Sequence, residues 1–229
     1  MTTPELVKTN DGSDTLFLTE LGEHYHSTFG AIQESNHVFI EAGLKKCEQS
    51  QLTLFEVGFG TGLNAFLTLM ATLSTKQTIR YITVEKYPLP QSIWEVLNYP
   101  TMISDGSSQF FRKINEASWN KEVQITDSFS ILKLSSDLLD IDYSTLPKFD
   151  LIYFDAFSPG KQPELWFTSV FRHISNHSAP GAKFVTYCAK GEVRRSLNEV
   201  GFATGRIPGP HGKREMLRGT KTTLLQTSD

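Results

Sequence analysis

LTLFEVGFGTGLN, residues 52–64, joins an apolar run to a glycine cluster and then to the first residues of an apolar helix. Residues 52–57 read as a buried strand. Gly58, Gly60 and Gly62 then permit a tight turn and a close approach of backbone to a ligand. The helical pattern that follows, Leu63 to Leu73, brings its N-terminal N–H groups to the same place. Strand, glycine loop and helix in that order predict the first unit of an open, doubly wound sheet.

The same rhythm extends outward. IRYITV (79–84) predicts a second strand, VQIT (123–126) a third and FDLIYF (149–154) a fourth. KFVTY (183–187), ATGRI (203–207) and a run around Thr222 to Gln226 predict further strands. Helices fit at 107–117, 163–176 and 190–199. Strands separated by helices imply crossover connections and a mainly parallel sheet over residues 51–229. Residues 1–50 stand outside this pattern. They predict an N-terminal extension, a hairpin or arm (15–19 and 24–30) followed by a helix from Glu34 to Ala42, packed on the same domain.

The composition is that of a globular chain, with 39% hydrophobic and 21% charged residues in 229. No apolar run reaches the roughly 20 residues of a membrane span, and MTTPELVKTNDGSD lacks the regions of a signal peptide. Cys47 and Cys188 are too few for a disulfide framework, so a cytoplasmic protein with reduced thiols is expected. The net charge of −3 is unevenly spread: nine basic against three acidic residues between Lys183 and Lys221 leave −9 on the remainder. Such a basic stretch suits a polyanion, and a solvated helix face explains it equally well.

The glycine spacing is G-x-G-x-G, without the third spaced glycine of dinucleotide sites. Glu85, at the end of the second strand, is placed to bind ribose hydroxyls. Glu56 favours S-adenosylmethionine over a dinucleotide, because it can meet an amino group and would repel a pyrophosphate. Asp127, with Ser128, ends the predicted third strand where an adenine amine would lie; a helix cap is the plain alternative. Asp155 ends the fourth strand, and Pro159 and Gly160 break the chain beyond it.

DGSDTLFLTELGEHYHSTFGAIQESNHVFIEAGL, EVGFGTGLN, FDAFSPGKQPELW and GKREMLRG together resemble the methyltransferase domain of the MnmC-like family over nearly the whole chain. The resemblance implies a class I S-adenosylmethionine-dependent methyltransferase, Rossmann-like and mostly parallel, that methylates the aminomethyl group of a tRNA wobble uridine. Some family members carry a following FAD-dependent oxidase domain. This chain ends at Asp229 without a second glycine fingerprint, so no FAD is expected, and separate enzymes would supply the free amine.

An amine must lose a proton before attacking a sulfonium methyl, and Asp155 is the residue expected to orient it and assist that loss. Phe157, Trp166 and Tyr187 are expected to flank a uracil that has left its stack. Lys161 is expected to contact phosphate or base. Tyr25 and Glu34 would close over the methionine end of the cofactor. Arg194, Arg195, Lys213, Arg214 and Arg218 would hold the RNA backbone around the anticodon. His24 and His26, or His173 and His177, lack accompanying acids or cysteines at metal-binding spacing, so no metal is expected. Rival readings are a methyltransferase for a small-molecule amine, a nicotinamide-dependent oxidoreductase and a non-catalytic RNA-binding module.

Overall fold

The computed structural model describes residues 3–222. An N-terminal antiparallel sheet comes first: β1 (Glu5–Lys8), β2 (Asp14–Leu18) and β3 (Glu23–His24). Only β2 buries its side chains, so this sheet depends on the domain beneath it. Asp14 and Asn98 anchor it reciprocally, Asp14 N–H donating to Asn98 Oδ1 (2.8 Å) and Asn98 N–H to Asp14 Oδ2 (2.9 Å). α1 (Ala31–Ser35) follows and runs into a wide helical turn, Asn36–Glu41, that buries Val38, Phe39 and Ile40. The helix thus begins three residues before the expected Glu34. The second arm strand is two residues long instead of spanning 24–30.

The main sheet contains β4 (Gln51–Val57), β5 (Thr78–Glu85), β6 (Glu122–Thr126), β7 (Phe129–Ser135), β8 (Phe149–Phe154), β9 (Ser178–Thr186), β10 (Phe202–Pro208) and β11 (Glu215–Lys221). Their order is β10-β11-β9-β8-β4-β5-β7-β6. The pairs β4–β5, β4–β8, β5–β7 and β8–β9 are parallel, whereas β11 runs against both its neighbours and β6 against β7. Helices cover both faces. α2 (Leu63–Thr72), α3 (Gln91–Trp94), α4 (Tyr99–Ile103) and α5 (Ser108–Glu116) pack with the Asn36–Glu41 turn on one side. α6 (Thr168–Asn176) and α7 (Gly191–Glu199) cover the other. Among the described residues no helix is long and apolar enough to cross a membrane.

One strand expectation is corrected, and another lies outside the described residues. VQIT is an antiparallel edge strand, and the third parallel strand is β7, FSILKLS. Its inward positions are Phe129, Ile131 and Lys133; a lysine in that register breaks the period-two pattern by which strands are read. The last strand is Glu215–Lys221; beyond Thr222 the run expected at Thr222 to Gln226 lies outside the described residues. EMLRGTK lacks a period-two alternation of polar and apolar side chains; it forms a hairpin with β10 and pairs on its other edge with β9, some way back in sequence.

Because the five parallel strands β9, β8, β4, β5 and β7 end side by side, their C-terminal ends form one rim. Under it Phe154 is enclosed by Trp166, Phe171 and Phe184, with ring centroids 4.8, 5.2 and 5.7 Å away. Truncating such a buried ring costs ~3–5 kcal/mol, so the residue before Asp155 is firmly seated.

Asn98→Ala should cost ~1–3 kcal/mol, because it leaves Asp14 N–H and the Gly12 carbonyl without their side-chain partner. Urea unfolding would measure that loss. Hydrogen exchange should show faster opening of β1 and β2 than of β4.

Candidate active site

A cavity of about 1070 Å³ opens on the rim formed by the ends of β4, β5, β7 and β8. Its wall includes Gly58, Gly60, Glu85, Asp155, Phe157, Lys161 and Tyr187 from the main domain, and Tyr25 and Glu34 from the N-terminal extension. Lys213 enters from the β10–β11 loop.

The glycine loop has three left-handed residues, with φ of +89° at Gly58, +51° at Gly60 and +79° at Gly62. At Gly58 a Cβ would stand 2.7 Å from the Asp155 carbonyl oxygen. Glycine there lets the loop lie directly against the end of β8. At Gly60 the neighbour is the Tyr25 ring, 3.1 Å from where a Cβ would be. Gly60 N–H donates to Glu85 Oε2 (3.0 Å) and Tyr87 N–H to Glu85 Oε1 (2.9 Å), which aims that carboxylate along the cavity wall. Burial raises the Glu85 pKa, against these two amides. Burial also raises the pKa of the Tyr25 hydroxyl, with the nearby Glu85 charge adding to the effect.

Asp155 is held by a residue that sequence reasoning missed. Asn64, in the first turn of α2, donates its amide to Asp155 Oδ2 at 2.7 Å. Its only sequence signal is a polar side chain inside an otherwise apolar helix start. Burial raises the Asp155 carboxyl to about 7, opposed by the Asn64 hydrogen bond; the Glu34 charge adds to the rise and Lys213 counters it. Glu34 itself accepts from Ser27 N–H (2.7 Å) and from Lys213 Nζ (2.6 Å). The Lys213 ammonium lies 4.1 Å from the centroid of the Tyr187 ring, whose hydroxyl donates to the Ala156 carbonyl (2.9 Å). One cation thereby joins the N-terminal extension, the β10–β11 loop and the bend after β9 that carries Tyr187.

Glu56 is fully buried behind this wall and does not line the cavity. Thr83 Oγ1 donates to its Oε2 (2.7 Å), while Oε1 has no hydrogen-bond partner. Burial lifts its pKa to about 8, and the Asp155 charge contributes to the rise. A neutral carboxyl is the form that this environment favours.

Asp127 and Ser128 lie elsewhere. They precede β7, at the end of the sheet opposite the cavity, and Asp127 is exposed. Taking β6 for the third parallel strand caused the displacement. The residues that follow the true third strand are Ser136, Asp137 and Leu138, and all three line the cavity. Asp137 Oδ2 accepts from Lys86 Nζ (2.7 Å) and Oδ1 from Leu139 N–H (3.0 Å). The Lys86 hydrogen bond holds the Asp137 carboxyl below its usual range.

Trp166 is buried and donates its indole N–H to the Phe157 carbonyl (2.8 Å), so it props the loop after Asp155 and leaves the wall to Phe157. Phe157 meets Tyr25 edge-on at 5.2 Å. Glu23 fastens the same loop to the extension, accepting from Ser158 Oγ at 2.9 Å. Arg194 and Arg195 are exposed on α7, Arg214 is exposed in the β10–β11 loop, and Arg218 is half-buried in β11. None of the four lines the cavity or forms an ion pair among the described residues.

A second residue missed from sequence is Lys133. It is 1% exposed and donates to the Asn115 carbonyl (2.6 Å), with Phe59 of the glycine loop and Trp119 on either hand at 5.0 and 4.6 Å. Burial lowers its pKa to about 8. His26 is half-buried, and desolvation lowers its pKa to about 4; no group of three metal-ligating side chains occurs among the described residues.

These features fit a nucleoside cofactor with a charged tail. The loop backbone is bare, an acid stands at the end of β5, and the α2 N-terminus faces the loop. A family model described as S-adenosyl-L-methionine-dependent methyltransferase matches residues 107–222. The tRNA 5-methylaminomethyl-2-thiouridine biosynthesis bifunctional protein MnmC of Cupriavidus necator is 32% identical over 206 residues, 84% of this chain and 31% of its own length. The protein of the same name from Pseudomonas savastanoi pv. phaseolicola is 31% identical over 220 residues, 88% of this chain and 32% of its own. The chain therefore spans about a third of the length of these curated relatives. The crystal structure of MNMC2 from Aquifex aeolicus superposes with a TM-score of 0.79 at 27% identity, covering 97% of this chain and 72% of that one.

Asp137→Ala should weaken S-adenosylhomocysteine binding in calorimetry, whereas Asp127→Ala should leave it unchanged. Glu56 and Asp155 also link pH to stability. Both have folded-state pKa values above those of an unfolded carboxyl, so folding retains their protons. Stability should fall as pH rises from about 4 through their folded values. Glu56→Gln should flatten that slope in thermal melts between about pH 5 and about pH 9. A slope equal to that of the unsubstituted protein would contradict a neutral Glu56.

Proposed function

The chain belongs to the S-adenosyl-L-methionine-dependent methyltransferase family, and we propose that it methylates the aminomethyl group on the wobble uridine of tRNA. The observation that carries this reading is the Asp155 carboxylate, held by Asn64 at the cavity end where the glycine loop, Tyr187 and Lys213 converge. The names of the MnmC relatives supply the substrate class.

Gly58, Gly60, Glu85 and Tyr25 would hold the cofactor, with Ser136 to Leu138 beside its base. When bound, S-adenosylmethionine supplies an electrophilic methyl group on a sulfonium. The chain's own residues must then present an amine lone pair. An aminomethyl group is largely ammonium near neutral pH, and Asp155 is poised to accept its hydrogen bond and its proton. An ordinary Asp, near 3.8, would be a poor acceptor; one raised to about 7 is much better matched. Asn64 fixes one carboxylate oxygen and leaves the other for the amine. Phe157 and Tyr187 offer apolar surface to an extruded uracil, while Lys161 and the unpaired arginines on α7 and near β11 suit phosphates. Residues in the cavity wall near Asp155 favour a cation, since Glu23, Glu34 and Asp155 outnumber Lys161 and Lys213.

Asp155→Asn keeps the shape and the Asn64 contact surface but removes the acceptor. It should bind S-adenosylhomocysteine about as tightly as the unsubstituted protein, while kcat/KM on tRNA bearing the free amine falls at least about a hundredfold. In the unsubstituted protein that rate should rise with pH through about 7, because only the ionised carboxylate accepts. Near-normal turnover by the variant would remove the proton-accepting role.

A further inference from the structure

Most of the cavity wall is polar or half-buried, but Phe29 is 41% exposed there. It stands on the side of the N-terminal extension, next to the β10–β11 loop. Leaving a phenyl face in water forgoes the burial free energy that a small inward shift would recover. The structure instead holds it outward. Gly212 has φ +83°, and a Cβ there would lie 2.3 Å from Phe29 Cδ2, so only glycine allows the ring to rest on the loop. Phe29 N–H donates to Ser27 Oγ (3.2 Å), and the His211 ring meets Phe29 at 5.3 Å and 63°.

One exposed cation follows in the adjoining loop and another lines the same cavity. Arg214 follows in the same loop, exposed and outside any ion pair among the described residues. Lys161, on the cavity wall, is likewise exposed and unpaired. An aromatic face with positive side chains around it is the pattern that binds single-stranded nucleic acid, where bases stack and phosphates meet cations. Duplex RNA conceals its base faces, whereas a loop displays them.

We propose that Phe29, buttressed by His211 and Gly212, is a stacking platform for the unpaired base adjacent to the one that enters the cavity. This inference rests on the RNA reading above. It separates two tasks: Asp155 and its neighbours handle the reacting nucleotide, and Phe29 holds the strand beside it.

The test compares an anticodon stem-loop RNA carrying the aminomethyl uridine with the free 5-aminomethyluridine nucleoside. Phe29→Leu keeps apolar bulk but removes the flat face. It should lower kcat/KM on the stem-loop by about tenfold, within the range for losing a base-stacking aromatic. The nucleoside rate and S-adenosylhomocysteine affinity should not change. Phe29→Trp should retain the stem-loop rate, and Gly212→Ala, which displaces the ring, should mimic Phe29→Leu. Equal stem-loop rates for Phe29→Leu and the unsubstituted protein would overturn the platform, as would an equal loss on the nucleoside. If the unsubstituted protein binds S-adenosylhomocysteine but methylates neither substrate, the amine assignment fails separately. Fluorescence anisotropy with the unmodified stem-loop then decides the platform: weaker binding by Phe29→Leu supports it, and unchanged binding overturns it.

Discussion

The contact between Gly58 and the end of β8 is the constraint on which the site depends. With no side chain at 58, the loop after β4 can lie against the Asp155 carbonyl, and α2 can start close enough for Asn64 to reach the Asp155 carboxylate at 2.7 Å. A Cβ would push loop and strand end apart, and the proposed cofactor wall and the proposed acceptor would separate together. The positive φ at Gly58, Gly60 and Gly62 is therefore tied to the geometry of the proposed site as well as to the turn.

The cavity is completed by parts of the chain that carry little structure of their own. The sheet of the N-terminal extension is mostly exposed outside β2, yet the extension delivers Tyr25 over Gly60, Glu23 to Ser158 and Glu34 to Lys213. Each contact joins it to a different wall. Lys213 has a double role here: it neutralises Glu34 and sits on the Tyr187 ring, and its charge tempers the rise in the Asp155 pKa. Removing such a partner leaves a buried carboxylate uncompensated, which is more costly than losing the pair as a whole.

Buried ionisable groups cluster around the rim: Glu56 at about 8, Asp155 at about 7 and Lys133 at about 8. Burial is the largest cause in all three cases. Glu56 and Lys133 lie behind the wall, Lys133 against the Phe59 ring of the glycine loop, while Asp155 faces the cavity. Perturbed groups gathered at the open end of a parallel sheet are what a proton-handling site requires.

The local chain chemistry was sufficient to announce the strand–glycine loop–helix unit, the parallel core strands 52–57, 79–84 and 149–154, and the acids Glu85 and Asp155 at strand ends. Those features are carried by contiguous residues, and periodicity and glycine spacing report on contiguous residues. Pairing decided the rest. β7 was hidden by the inward Lys133, and Asp137 with it; only the register of β7 on β5 shows that Asp137, and not Asp127, reaches the rim. Asn64 on Asp155, Lys213 on Glu34 and Phe29 on Gly212 join residues 91, 179 and 183 positions apart. Contacts between such distant positions leave no local trace, because the proximity of their side chains is created by the fold alone.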